Sequence, residues 1–164
     1  YFNPILWRNG NVVKGDGYCT NLFFGAAIQF LRSDSEKPFF VYIAPNVPHT
    51  PLDIARAYSQ PFLDWGLDPR TAAIYGMLKN LDDNFGALLQ AIDEEGLVEE
   101  TLIIFMTDNG PTRGRYNAGL RGAKGSVYEG GIRVPFYVRW PSQIEAGRSI
   151  DKIAAHFDVL PSLL

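Results

Sequence analysis

Residues 81–111 read LDDNFGALLQAIDEEGLVEETLIIFMTDNGP, the second half of a helical pattern followed by an apolar strand. The helix is predicted to run from Pro69 to about Glu95, because Asp68 can cap it, Pro69 suits its first turn and Gly96 can end it. Its apolar residues form one stripe: Ile74, Met77, Leu78, Leu81, Phe85, Leu88, Leu89 and Ile92. Residues 101–107 (TLIIFMT) are then typical of a strand covered on both faces.

Two more apolar runs predict strands, residues 37–45 (KPFFVYIAP) and residues 134–141 (VPFYVRWP), each bounded by prolines. A shorter helix is predicted from Thr20, as its N-cap, to about Leu31. Residues 1–18 are predicted to be mainly loop with one short strand. Strands that alternate with an amphipathic helix are typical of βαβ units, so the sequence predicts an α/β fold with a mostly parallel or mixed sheet flanked by helices.

The composition is that of an ordinary globular domain. The chain has 164 residues, of which 46% are hydrophobic and 20% charged, which is enough for one domain with its own core. The net charge of −3 provides no basic field to attract nucleic acid. No apolar run approaches the roughly 18 residues needed to span a bilayer. Cys19 is the only cysteine, which excludes an internal disulfide.

Polar side chains follow two of the predicted strands. Asp108 and Asn109 come directly after residues 101–107, and the loop 46–52 (NVPHTPL) with His49 follows residues 37–45. If these strands are parallel, both groups lie at one edge of the sheet, where α/β proteins bind ligands. Carboxylate and amide oxygens suit calcium, but calcium takes about 6–8 ligands, so other residues would have to contribute. A plain turn is the alternative, since Asp-Asn-Gly-Pro is good turn chemistry.

His49 lies between Pro48 and Pro51, whose stiff backbone suits an imidazole that must be held in one place. Such a histidine could bind an anion or donate a proton to a leaving group. The alternative is a loop histidine hydrogen-bonded to a carbonyl.

A glycine-rich segment, residues 119–135 (GLRGAKGSVYEGGIRVP), contains Lys124. Its glycines would let the backbone approach a ligand, and a lysine is a compact charge suited to a tetrahedral anion. The segment lacks the order of a phosphate-binding P-loop. The alternative is a flexible surface loop in which Glu129 and Arg133, four residues apart, pair with each other.

Two further residues are interpreted as structural. Cys19 lies at the start of a predicted helix, where a thiolate would be stabilised, but a small packed residue is the favoured interpretation. His156 precedes a short apolar run near the end of the chain.

In combination, these segments resemble the sulfatase family of the alkaline-phosphatase-like superfamily. No single stretch is decisive, but the number and order of the matching stretches make chance agreement implausible. The matching stretches are YFNPILWRNG (1–10), GYCTNLFFGAAIQFL (17–31), KPFFVYIAPNVPHTPL (37–52), residues 81–111, GLRGAKGSVYEGGIRVPFYVRWP (119–141) and HFDVLPSLL (156–164).

The resemblance implies specific roles. Asp108 and Asn109 would be two ligands of a divalent metal, with calcium expected. Lys124 would contact the sulfate oxygens, and His49 would lie near the sulfate and the leaving-group oxygen. A formylglycine, made from the Cys or Ser of a Cys/Ser-x-Pro/Ala-x-Arg motif, would be the nucleophile in the parent enzyme. The substrate would be an aryl or carbohydrate sulfate, with contacts expected from residues 52–67 and 112–117.

The resemblance also indicates what this chain does not contain. Cys19 is followed by Thr20 and Asn21, so it does not begin the formylglycine motif. Residues 1–164 are therefore predicted to be part of a sulfatase catalytic domain, truncated at both ends and inactive alone, with dimerisation through an exposed sheet edge or core as a plausible consequence. Sulfatases are usually periplasmic, secreted or lysosomal. The alternatives are a phosphonate monoester hydrolase or phosphodiesterase of the same superfamily, or a non-catalytic module that binds an anion or a partner.

Overall fold

The long helix α3 organises the chain. In a computed structural model that describes residues 1–33 and 37–164, α3 spans Pro69–Glu94. The Asp68 carboxylate accepts hydrogen bonds from the backbone N–H groups of Arg70 and Thr71 at 3.0 and 3.1 Å. At the other end Gly96 has a φ of +69°, and the N–H of Leu97 reaches the carbonyl of Ile92 at 2.9 Å, which is a Schellman ending. Both predicted ends of this helix are confirmed.

Helix α1 spans Cys19–Leu31 and packs against α3. The core between them consists of Phe24, Ala27, Leu88 and Ile92. The prediction that Thr20 caps α1 is wrong, because the helix begins at Cys19 and Thr20 is fully buried in its first turn.

Helix α2 (Arg56–Asp64) was not predicted from the sequence, and it contains Pro61. It crosses α3 closely at Gly76, where a Cβ would lie 3.0 Å from the backbone nitrogen of Ser59. This contact requires a residue without a side chain at position 76.

The strands are short and form two antiparallel pairs. Strands β1 (Ile5–Arg8) and β2 (Asn11–Lys14) make a hairpin. Its turn, Asn9-Gly10, has positive φ at both residues, as a two-residue hairpin requires. Strands β3 (Ile103–Met106) and β4 (Phe136–Arg139) pair with Met106 opposite Phe136.

The α/β class is consistent with this mixture of helices and small sheets, but the largely parallel sheet is not seen among the described residues. A parallel pair needs a crossover to the opposite end of the first strand. Here the chain leaves β3, makes only the short helix α4 (Glu129–Ile132) and enters β4 beside the point where β3 ended. A 3₁₀ turn (His156–Asp158) and α5 (Val159–Leu163) follow β4.

Residues 37–45 do not form the predicted strand. Val41 and Ile43 pack against the core between α1 and α3, whereas Phe40 and Tyr42 are 80% and 76% exposed. The alternation is that of an extended segment, but its backbone forms no ladder with any strand of the described residues. The apolar sequence favours an extended backbone, but a strand also needs a neighbouring strand with which to form hydrogen bonds.

Candidate functional site

One open cleft collects the four residues singled out from the sequence. His49, Asp108, Asn109 and Lys124 all line a cavity of about 2970 Å³. Side chains of residues 37–45, α3 and β3 form its apolar part, and the loops that follow residues 45 and 106 form its polar part. All of residues 112–117 except Gly114 line the same cleft; residues 52–67, the other predicted substrate segment, do not.

The loop that carries His49 is anchored by the first residues of the chain. The Tyr1 hydroxyl lies 2.7 Å from the carbonyl of His49 and 3.0 Å from that of Asn46. Tyr18 stacks on Tyr1, with ring centroids 5.6 Å apart, and donates its hydroxyl to the carbonyl of Asp53 at 3.0 Å. Burial, followed by an electrostatic effect of the nearby Cys19, raises the pKa of both tyrosines. The two phenols therefore stay neutral and can donate these hydrogen bonds.

The His49 ring uses one nitrogen locally. Its Nδ1 lies 2.9 Å from the carbonyl of Thr50. Because a carbonyl can only accept, Nδ1 carries the hydrogen in the neutral ring. Nε2 makes no hydrogen bond to the described residues and remains available to a ligand. The interpretation of His49 as a loop histidine bonded to a carbonyl therefore fits one nitrogen and leaves the other unexplained.

The Asp108 loop rests on the glycines of α4. The N–H of Gly110 donates to the carbonyl of Gly131 at 2.9 Å. A Cβ at position 110 would lie 2.9 Å from the carbonyl carbon of Gly130 and 3.1 Å from the Cα of Gly131. Only glycine permits this approach, so the position of Asp108 and Asn109 depends on backbone packing 20 residues further along the chain.

Lys124 is attached to the Asp108 loop, because its backbone N–H donates to the carbonyl of Pro111 at 2.8 Å. The predicted pairing of Glu129 with Arg133 is present at 3.4 Å. Within residues 1–33 and 37–164, Lys124 has no ion-pair partner. Its ammonium is therefore free to bind an anion.

Asp108 and Asn109 make no side-chain hydrogen bonds to the part of the chain that the structure describes. An Asp or Asn in a plain turn usually accepts from a backbone N–H two residues on. For Asp108 that residue is Gly110, whose N–H donates to Gly131 instead, and for Asn109 it is Pro111, which has no N–H. No group of three or more His, Cys, Asp or Glu in the described residues could hold a metal. These two residues can thus supply only part of a metal site.

His156 is exposed on the wall of the cleft, whereas Cys19 is buried. His156 Nε2 lies 2.8 Å from the carbonyl of Thr107 and holds the residue before Asp108. Cys19 is 4% exposed, with its sulfur 3.7 Å from the side-chain oxygen of Asn46.

No described helix is both long and apolar enough to cross a membrane.

Two arginines of the cleft, Arg113 and Arg115, were not singled out from the sequence. The signal was available, since residues 111–128 contain four cationic side chains and no carboxylate.

Comparisons with known proteins point to one family. The Sulfatase family model matches residues 1–164. Arylsulfatase A of Homo sapiens is 36% identical over 138 residues, 78% of this chain and 25% of that protein. Arylsulfatase of Clostridium perfringens (strain 13 / Type A) is 30% identical over 182 residues, 88% of this chain and 37% of that protein.

Solved structures agree in fold. Ps i-CgsB in complex with k-i-k-neocarrahexaose is 34% identical, with a TM-score of 0.83 over 88% of this chain and 33% of its own. The yidJ protein of Bacteroides fragilis is 24% identical, with a TM-score of 0.82 over 98% of this chain and 40% of its own. The chain thus spans between a quarter and two-fifths of the length of these relatives.

Proposed function

Because the chain belongs to the sulfatase family, we propose that it supplies part of the divalent-metal and sulfate-binding site of a sulfuric ester hydrolase. The observation that carries the proposal is the shared cleft, in which unbonded oxygens of Asp108 and Asn109 lie with an unpaired Lys124 and an imidazole with one free nitrogen. Hydrolysis of a sulfate ester needs this combination, because charge on the sulfate oxygens must be neutralised and the leaving oxygen protonated.

Asp108 and Asn109 would hold the metal, with calcium expected. Their oxygens are two of the roughly 6–8 that calcium takes, so residues outside this set must complete the site. When bound, the metal would attract the negative charge of the sulfate group.

Lys124 and His49 would act on the substrate directly. The Lys124 ammonium would bind a sulfate oxygen, from a position fixed by the hydrogen bond between its backbone and Pro111. His49 in its imidazolium form, oriented through Nδ1, would donate the Nε2 proton to the departing oxygen.

The proposed substrate is a sulfated carbohydrate. Ps i-CgsB, at 34% identity, has been solved with an oligosaccharide. Tyr116, on the wall of the cleft, offers an aromatic ring face against which a sugar ring could pack.

The 164-residue polypeptide by itself should not hydrolyse sulfate esters. None of its Cys or Ser residues begins a Cys/Ser-x-Pro/Ala-x-Arg motif; the nearest match, residues 59–63 (SQPFL), has leucine in place of arginine. Turnover by a verified preparation of this polypeptide would contradict the proposed need for a formylglycine.

The test uses the complete gene product that contains these residues, assayed on a chromogenic aryl sulfate, a sulfated oligosaccharide, a phosphonate monoester and a phosphodiester. Sulfate release that falls about 100-fold or more in Lys124→Ala is expected. Asp108→Ala should lose terbium luminescence that calcium displaces, whereas Asp151→Ala, outside the cleft, should keep it. Hydrolysis of only the phosphorus esters would reassign the enzyme. No hydrolysis at all, with ion binding indifferent to Asp108, would favour the non-catalytic module.

A further inference from the structure

The loop that follows the proposed metal ligands concentrates positive charge in the cleft. Residues 111–128 contain four cationic side chains and no carboxylate, in a chain whose net charge is −3. Two of the four, Arg121 and Lys124, have assigned places: Arg121 lies over the ring of Tyr128 at 3.9 Å, and Lys124 is the proposed sulfate ligand. Arg113 and Arg115 remain to be explained.

Both arginines line the cleft and lack a counter-ion. Arg113 is exposed and Arg115 half-buried. Among residues 1–33 and 37–164, no carboxylate lies within ion-pair distance of either guanidinium. Of the other arginines of the cleft, Arg32 and Arg133 are paired with glutamates, and Arg70 on α3 has no ion-pair partner among the described residues. Unpaired guanidinium groups on the wall of a cleft favour an anionic ligand.

The loop that carries them is held at both ends. The N–H of Arg115 donates to the carbonyl of Thr112 at 3.3 Å. The Asn117 side chain donates to the carbonyls of Leu120 and Gly122 at 2.7 and 3.0 Å. Pro111, at the start of the loop, is bound by Lys124. The loop that carries the two arginines, which lies between Asp108 and Lys124 in the sequence, is therefore fixed near both of its ends.

We infer that Arg113 and Arg115 form a subsite for a second anionic group, a sulfate or a carboxylate, on a polyanionic carbohydrate substrate. The inference rests on the proposed function and deepens it. One sulfate monoester carries a single negative charge, which the proposed metal and Lys124 would neutralise. The guanidinium groups of Arg113 and Arg115 therefore provide more positive charge than one sulfate requires. Their forked N–H donors suit bidentate binding of a second sulfate or a carboxylate. The exposed Tyr116 between them and Asn117 offers a face for the sugar ring.

The test compares Arg113→Gln/Arg115→Gln with Arg148→Gln in the complete gene product. Arg148→Gln removes one charge from an exposed position outside the cleft. The probes are an aryl monosulfate and three oligosaccharides of one backbone, carrying one sulfate, two sulfates, or one sulfate and one uronate carboxylate. We expect kcat/KM of the double variant to fall about tenfold or more on a doubly charged probe, mainly through KM, and to change less than about twofold on the aryl and singly sulfated probes. The doubly charged probe that shows the loss identifies the group bound.

Equal losses on all probes, or none on the doubly charged ones, would overturn the subsite. Circular dichroism checks that the double variant folds; if it does not, the single variants Arg113→Lys and Arg115→Lys replace it, and each should retain charge while losing part of the preference. If the wild-type protein hydrolyses no sulfate ester, the proposed function fails. Calorimetric binding of the disulfated probe to wild type and double variant then still decides the subsite: equal affinity refutes it.

Discussion

Gly110→Ala tests whether backbone packing positions the proposed metal ligands. The new Cβ would collide with the carbonyl oxygen of Gly130, and it would lie 2.9 Å from the carbonyl carbon of that residue and 3.1 Å from the Cα of Gly131. Both neighbours are backbone atoms, so no side chain can rotate away. If the loop stays in place, overpacking of this kind costs about 1–3 kcal/mol.

If the loop moves instead, it loses two hydrogen bonds, from Gly110 N–H to Gly131 and from Lys124 N–H to Pro111. At about 0.5–1.5 kcal/mol each, their loss also amounts to about 1–3 kcal/mol. Equilibrium urea unfolding of the complete gene product should therefore show a lower midpoint at unchanged slope. Terbium affinity should fall as well, because Asp108 and Asn109 move with the loop.

Gly86→Ala is the matched control. Gly86 lies within α3, and a Cβ there would meet nothing within 4 Å. Alanine at this position should raise the free energy of unfolding by about 0.5–1 kcal/mol and leave ion binding unchanged. A Gly110→Ala protein with wild-type stability and wild-type terbium affinity would refute the role assigned to this packing.

Two further predictions concern titratable groups of the scaffold. Asp68→Ala should lower the urea midpoint at neutral pH, and Asp68→Asn should lower it less, because asparagine can still cap α3. Hydrogen bonds from Thr71, and then from Arg70, lower the pKa of Asp68, so its stabilisation is present above the usual Asp pKa of about 3.9 and is lost as pH falls through the lower folded-state value; a pH-independent difference would contradict this. Burial raises the pKa of Tyr18. The stabilisation of the folded state by the neutral phenol is therefore present below the usual tyrosine pKa of about 10 and is lost as pH rises through the raised value. Tyrosinate absorbance should therefore rise later in native protein than in urea, with a smaller delay in Tyr18→Phe, and coincident curves would count against it.

Local signals in the sequence were sufficient for helix α3. Asp68, Pro69 and Gly96 fix its ends through hydrogen bonds and backbone conformations that involve only nearby residues. The hairpin of β1 and β2 had an equally local signal, Asn9-Gly10, which the sequence prediction did not use. Where the signal is local, the sequence is enough to predict the element.

The errors fall where the outcome depends on distant residues. An apolar run predicts an extended backbone, but it does not say which strand, if any, lies beside it. Residues 37–45 are extended and unpaired, and residues 134–141 contribute a strand that runs antiparallel to β3. Strand direction is set by the path of the intervening chain, and no local pattern in residues 107–133 shows that it returns to the same end.

The candidate site combines both kinds of information. His49, Asp108, Asn109 and Lys124 were found by residue type and family resemblance, and they line one cleft. Residues without a proposed chemical role hold them in place. Tyr1 and Tyr18 anchor the His49 loop, His156 contacts Thr107, and the glycines of α4 pack against the Asp108 loop. Except for the stacking of the two tyrosines on each other, each of these contacts joins residues at least 20 positions apart in the chain. Substitutions at such anchoring residues should therefore change the geometry of the cleft without touching a proposed ligand. The residues proposed to bind the metal or the sulfate and the residues that hold their loops in position therefore have to be tested by separate substitutions.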